Sequence, residues 1–221
     1  MRKIFLPFLI TGALALTGCS STPLTFTPEN IEISTEKINA ELKSIHVSIS
    51  DEDATTANLK KAGPKYVQTW KEALQDALDR SALFDDDASS KININAKLNS
   101  LDYPFAAATF HSKFITTYQI IKRKTGEVVY ETTIESEGIS SPGEDFLASH
   151  RLRHSINRAG QKNIIAFIER LKTVSPHINK HLEDDSYVIP KTAEELKFEE
   201  TLRKQHEKQT VTSVHNDDVT N

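Results

Sequence analysis

Lys91-Ile92-Asn93-Ile94-Asn95-Ala96-Lys97-Leu98-Asn99-Ser100-Leu101 is the stretch on which the fold turns. Ile92, Ile94, Ala96 and Leu98 alternate with lysine and asparagine, the period of a strand with one face in a core and the other in water. The segments on either side repeat this theme. Phe110 to Lys122 is rich in β-branched and aromatic residues, and Glu127 to Gly138 returns after Lys124-Thr125-Gly126, a short hairpin connection with glycine available for a positive φ. In the return strand Val128, Tyr130, Thr132 and Ile134 are expected on one face. Val129, Glu131, Thr133, Glu135 and Glu137 are expected on the other, wet one.

Upstream, Leu42 to Ser50 sets Ile45, Val47 and Ile49 against Ser44, His46, Ser48 and Ser50, a further half-buried strand; Ile31-Glu32-Ile33 reads as a short one before it. Asp51 to Gly63 reads as a polar loop. Pro64 suits the first position of a helix, where its missing N–H costs nothing. Val67, Trp70, Leu74, Ala77 and Ser81, widened by Ala73 and Leu78, then recur at helical spacing. A second helix is expected from Glu144 to Thr173, with Leu152, Ile156, Gly160, Ile164, Phe167 and Leu171 along one face. Ala159 and Gly160 mark a place where it lies close against the sheet, and Asn163 reads as a buried amide with its partners supplied. Ser175-Pro176 is expected to end the pattern. Elements in the order β-α-β-β-β-α, with one polar sheet face, predict an α+β two-layer sandwich: two helices on one face of a largely antiparallel sheet.

The N-terminus has a different character. Arg2 and Lys3 precede an almost wholly apolar run from Ile4 to Leu16, too short for a permanent span and laid out as a secretory signal. It closes on Leu16-Thr17-Gly18-Cys19, which holds the one cysteine of the 221 residues and resembles the lipobox of bacterial lipoproteins. The resemblance implies cleavage before Cys19, a diacylglyceryl thioether on its sulfur and acylation of the new amine. Two or three acyl chains make a stable anchor where one does not. By the sorting rule of enteric lipoproteins, Ser20 in the next position implies the outer membrane, with the domain facing the periplasm.

The chain then divides into a signal peptide over 1–18, a flexible tether over 19–30 with two prolines, an α+β domain over 31–182, and an acidic tail over 183–221. The tail is expected to be largely disordered. Within it, Thr192-x-x-Glu195 resembles a capping box and opens a mostly exposed helix over 193–209, with few apolar residues to dock it. Ten of the 31 acidic residues, against five bases, fall from Glu183 onward, which leaves the preceding domain near neutral. No basic domain recruits nucleic acid. One cysteine allows no intrachain disulfide, so the exported domain relies on its core.

With these elements in place, the stretch from Leu42 to Leu171 resembles small periplasmic lipoprotein domains: YajG-like lipoproteins, the amino-terminal domain of TolB, the CsgG and LpoB domains, and auxiliary lipoproteins of lipid-transport ABC systems. The carrying residues are Ala77-Leu78-x-x-Ser81-x-Leu83-Phe84, then Ile92-x-Ile94-x-Ala96-x-Leu98. They continue with Tyr118-Gln119-Ile120-Ile121 through Gly126-Glu127-Val128-Val129, and Arg158-Ala159-Gly160-x-x-Asn163-Ile164-x-x-Phe167-Ile168. The resemblance implies a domain that binds other envelope components and carries over no active site.

No other motif displaces that expectation. His150 and His154 share a helix face at a spacing able to bind zinc, as do His177 and His181, but two arginines flank the first pair and surface histidines are the plainer reading. Asp85-Asp86-Asp87 lacks the twelve-residue calcium loop and reads as a solvated turn. There is no G-x-S-x-G elbow and no glycine-rich phosphate loop. The expected function is a non-enzymatic lipoprotein, anchored through the lipid on Cys19, without cofactor or metal, acting as a periplasmic binding or scaffolding module for an envelope protein or a second copy of itself. The alternative is an accessory that binds a lipid or glycan between helices and sheet, near Phe105, Phe110 and Phe114.

Overall fold

The computed structural model describes residues 22–50, 57–193 and 195–204. Its elements are β1 (Glu41–Ile49), α1 (Ala57–Ala62), α2 (Pro64–Ser81), β2 (Lys91–Asp102), β3 (Phe110–Lys122), β4 (Val128–Ser140) and α3 (Ala148–Glu183). The strands form one four-stranded sheet in the order β1-β2-β3-β4. It is a mixed sheet. β2–β3 and β3–β4 are antiparallel, whereas β1 runs parallel to β2, because the helical crossover through α1 and α2 returns the chain to the end from which β1 began. Alternation reveals the faces of a strand but not the direction of its neighbour, so the sheet keeps two antiparallel pairings of the three and adds a parallel one that the pattern did not show.

Three irregularities of register decide which side chains enter the core. Ile92, Ile94, Ala96 and Leu98 are buried as expected; a shift between Leu98 and Ser100 then turns the odd-numbered Leu101 inward as well. A shift opposite Ile120/Ile121 does the same in β4, burying both Val129 and Tyr130 and leaving Val128 at the surface. That reverses the expected positions of Val128 and Val129. A bulge adds one residue to one strand, and a period of two inverts across it. The third shift, between Leu42 and Ser44, sets Ile45 and Val47 facing the core.

Pro64 opens α2 after Gly63 at φ 63°, and Ala82 closes it in the left-handed region at φ 48°. Tyr66, Trp70, Ala73, Leu74, Ala77, Leu78 and Ser81 are its buried face. The expected polar loop before it contains α1, which seats Leu59 in the core and donates Asn58 Nδ2 to the Leu101 carbonyl at 3.1 Å. Ile31-Glu32-Ile33 is not a strand; the pairing in that region is one bridge between Ile38 and Phe84. Gly126 takes φ 76° in the β3–β4 hairpin, as its position required.

α3 starts later and ends later than its sequence pattern proposed. Its first turn is displaced to Ala148 because Glu144 and Asp145 are engaged in the preceding turn: Ser141 N donates to Glu144 Oε1 at 2.9 Å and Leu147 N to Asp145 Oδ1 at 2.9 Å. At the other end it passes through Pro176 to Glu183. Proline withholds the N–H that Lys172 O would accept, and the Ser175 hydroxyl supplies a donor to that carbonyl at 3.0 Å. Leu171, Val174, Ile178 and His181 continue the buried stripe, so packing outweighs the local penalty.

Candidate interaction surface

Leu16-Thr17-Gly18-Cys19, the expected lipobox, lies outside the described residues. From residue 22 the chain is not a free tether. Phe26 is fully buried, with ring centroids 5.1 Å from Trp70 and 5.6 Å from both Tyr66 and Phe114. Asn157 holds the backbone before it, accepting from Thr25 N at 3.1 Å and donating to Pro23 O at 2.9 Å. Gln161 donates to Thr27 O at 3.2 Å, and Arg80 reaches the carbonyls of Pro28 and Glu29. Two prolines and mixed polarity read as a linker, yet one aromatic ring suffices to tie it down.

Gly160 is where that ring lands. A Cβ there would stand 2.2 Å from Phe26 Cδ1, so the small residue serves the N-terminal segment rather than the sheet. The close approach of α3 to the sheet is made at Gly138, whose hypothetical Cβ would lie 2.0 Å from Ser155 O and 2.4 Å from Ala159 N. Ser136 Oγ donates to Ala159 O at 2.9 Å in the same contact. Asn163 is buried and satisfied, accepting from Tyr118 Oη at 2.9 Å and donating to Ile134 O and Ser136 Oγ, each at 3.0 Å. Burial pushes the Tyr118 phenol far above its usual range. Tyr118 also stacks on Phe167 at 3.9 Å between centroids.

The three phenylalanines expected near a ligand pocket separate. Phe114 is part of the cluster around Phe26 and Trp70; Phe110 is buried under Arg151, whose guanidinium carbon is 5.8 Å from the ring centroid; Phe105 is fully exposed. Aromatic side chains, with Phe26 from the N-terminal segment, occupy the space between helices and sheet that the expected lipid or glycan would need.

Three of the four paired histidines have separate partners. His150 Nδ1 is 3.0 Å from Asp145 Oδ2, His177 Nδ1 is 2.6 Å from the Tyr187 hydroxyl, and His181 Nε2 is 3.3 Å from Glu127 Oε1. Among the described residues no group of three or more His, Cys, Asp or Glu is placed to hold a metal. Asp85 Oδ1 accepts from Asp87 N at 3.1 Å, closing the acidic turn on itself. That turn borders an open groove of about 620 Å³ between the C-terminal end of α2 and the start of β1.

What the sheet presents outward is a polar ladder. Asn99 Nδ2 donates to Thr117 Oγ1 at 2.7 Å, Thr117 meets Thr133 at 2.9 Å, Ser44 donates to Asn93 at 2.9 Å, and Lys113 pairs with Glu135 at 3.3 Å. The two edges differ. Over β4 the chain returns: Tyr130 Oη donates to Glu195 Oε1 at 2.5 Å, and Arg170 Nη1 donates to Thr192 Oγ1 at 2.7 Å. The capping box is formed, with Thr192 N and Oγ1 donating to Glu195 Oε2 at 2.8 and 3.0 Å and Glu195 N donating back at 3.2 Å. Burial opposes ionisation of Glu195, but the hydrogen bonds from Tyr130 and Thr192 outweigh it and hold the carboxyl below its ordinary value. The helical residues 195–204 are thus docked by a buried carboxylate and not by apolar contacts alone; residues 205–221 lie outside the described part. Among the described residues β1 pairs with β2 alone, leaving its outer edge open.

No family model matches the sequence, and no curated protein matches it. Among solved structures the fold is similar to protein XCC0632 from Xanthomonas campestris, of the family DUF330, with a TM-score of 0.50 at 10% identity over 71% of this chain and 99% of that one. A weaker similarity is to the PelC dodecamer from Paraburkholderia phytofirmans (TM-score 0.39, 12% identity, 66% of this chain and 94% of that). The same holds for a minor lipoprotein from Acinetobacter baumannii (TM-score 0.32, 9% identity, 61% and 91%). The likeness to XCC0632 is one of fold.

Proposed function

We propose that this chain is a lipid-anchored, non-enzymatic binding or scaffolding module of the bacterial cell envelope, held in the outer membrane through Cys19 with its domain in the periplasm. The observation that carries the reading is Leu16-Thr17-Gly18-Cys19 closing a short apolar N-terminal run, followed within seven residues by Phe26 in the domain core. An acyl anchor so close to a folded domain keeps it at the membrane surface.

The partner surface is the polar outer face of the sheet together with the open edge of β1. An unpaired edge offers backbone donors and acceptors in register for a strand of another chain, including a second copy of this one. Ser44, His46 and Ser48 are the outward side chains of that strand.

Two measurements test the proposal. Mass spectrometry of protein taken from membranes is expected to show an N-terminal acylated Cys19; an unmodified cysteine behind an intact residue 18 would sink the anchor. In vivo cross-linking is expected to recover an envelope protein or a homo-oligomer with the native chain and to lose it with Cys19→Ala. Recovery of no protein in either case would count against a binding role.

A further inference from the structure

If Cys19 carries the anchor, as proposed above, the path of residues 23–27 says which end of the domain meets the bilayer. Thr27 is tied to Gln161, Phe26 lies on Gly160, and Pro23 is tied to Asn157. Read towards its N-terminus, the segment therefore descends α3 towards Ala148. Four residues from Pro23 to Cys19 reach at most about 14 Å. The nine helical steps from Asn157 back to Ala148 rise about 14 Å. Even fully extended, the chain could therefore carry an acylated sulfur at position 19 no further than about the level of the start of α3.

Two loops occupy that end. Phe110 of β3 and Ser140 of β4 are register partners, so the β2–β3 connection (residues 103–109) and the β4–α3 connection (residues 141–147) emerge side by side. Each carries a phenylalanine wholly in water: Phe105 is 101% exposed and Phe146 is 103% exposed, with Leu147 half exposed beside the latter. The run Tyr103-Pro104-Phe105-Ala106-Ala107-Ala108-Thr109-Phe110 contains no charge. Phe146 is not loosely held. Arg151 Nη1 donates to the carbonyls of Asp145 and Phe146 at 2.7 and 3.2 Å, and Asp145 accepts from Leu147 N, so the backbone is fixed while the ring points away from the protein. Helix α1, tied to the end of β2 through Asn58, adds exposed Lys60 and Lys61 at the same end.

We propose that Phe105 and Phe146 enter the interface of the bilayer that holds Cys19, with Lys60 and Lys61 against anionic headgroups. Aromatic rings partition to the headgroup level, and basic residues near an anionic surface reinforce the contact. The domain then stands on this end, with the β3–β4 hairpin at the far one.

The test uses the full chain, purified from membranes with its native modification. It is reconstituted in vesicles of phosphatidylethanolamine and phosphatidylglycerol, with or without brominated acyl chains. Phe105→Trp, Phe146→Trp and Lys124→Trp are compared, the last lying in the exposed β3–β4 hairpin; native Trp70 is fully buried and supplies a constant background. The first two are expected to shift to the blue and to lose most of their added emission to the brominated lipid, while Lys124→Trp keeps its own. Acylated, vesicle-bound protein in which the Phe105→Trp and Phe146→Trp signals are quenched no more than that of Lys124→Trp overturns this inference and leaves the anchor standing. Cys19 without an acyl group by mass overturns both.

Discussion

The ring of Phe26 rests on the bare Cα of Gly160, so closely that a Cβ at position 160 would stand 2.2 Å from Cδ1 and 2.8 Å from Cγ. A residue from the segment that leads into β1 thereby becomes part of the core between α2, α3 and the sheet. Stability of the domain and attachment of its N-terminal segment are one property here.

Gly160→Ala tests this contact with an inverted sign. In an unhindered helix the change is worth about 1 kcal/mol in favour of alanine. Here the methyl must displace a fully buried ring, and overpacking of about 1–3 kcal/mol should outweigh the gain. Urea unfolding of Gly160→Ala is expected to show a lower midpoint than wild type. Phe26→Ala alone should cost about 3–5 kcal/mol. In the double variant the penalty at position 160 should vanish, because its cause has been removed.

Asn163 satisfies three groups at once, so its loss should exceed that of any one partner. Asn163→Ala leaves the Tyr118 hydroxyl, the Ile134 carbonyl and the Ser136 hydroxyl short of a bond. Each buried group left unpaired costs about 1–3 kcal/mol. Tyr118→Phe, which takes one donor from Asn163 and leaves its two amide bonds in place, should cost less. Equal midpoints for the two variants in denaturant would refute the network.

Pro176→Ala is expected to stabilise the protein. The site is exposed, so no cavity follows, and alanine restores the N–H that Lys172 O lacks. Proline within a helix costs about 3 kcal/mol relative to alanine, part of which Ser175 already offsets, so a gain of about 1–2 kcal/mol should appear as a higher Tm. No gain would mean that the Ser175 hydroxyl replaces the missing donor in full.

The β4–α3 turn should be sensitive to acid. The Arg158 guanidinium, 2.5 Å from Glu144 Oε2, together with Ser141 N–H, lowers the Glu144 carboxyl to about 2. A depressed folded-state pKa means that the contribution is present above the ordinary carboxylate range and is lost as pH falls towards about 2. Glu144→Gln should therefore flatten this part of the acid limb in pH-dependent unfolding, leaving the alkaline side unchanged. On that side, Tyr118 and Tyr130 are held protonated by burial, so stability should decline above about pH 10.

Much of the architecture was legible from local periodicity, because burial of one face imposes a period of two or 3.6 on the residues that bear it. β3, the hairpin glycine, the buried face of α2, the capping box at Thr192 and the satisfied amide of Asn163 all follow from short-range patterns. The resemblance of Leu16-Thr17-Gly18-Cys19 to a lipobox is also a short-range reading, and what it implies about processing is a proposal. What only the tertiary structure decided lies where a distant contact overrules its own neighbourhood. The bulges that bury Leu101 and Val129 depend on the strand opposite. The direction of β1 depends on how a crossover returns, and the passage of α3 through Pro176 on a stripe that continues beyond it. The burial of Phe26 depends on a glycine 134 positions away, and the exposure of Phe105 and Phe146 at one end depends on strands that meet only in the sheet. A linear pattern records how often a residue faces inward; it does not record what waits there.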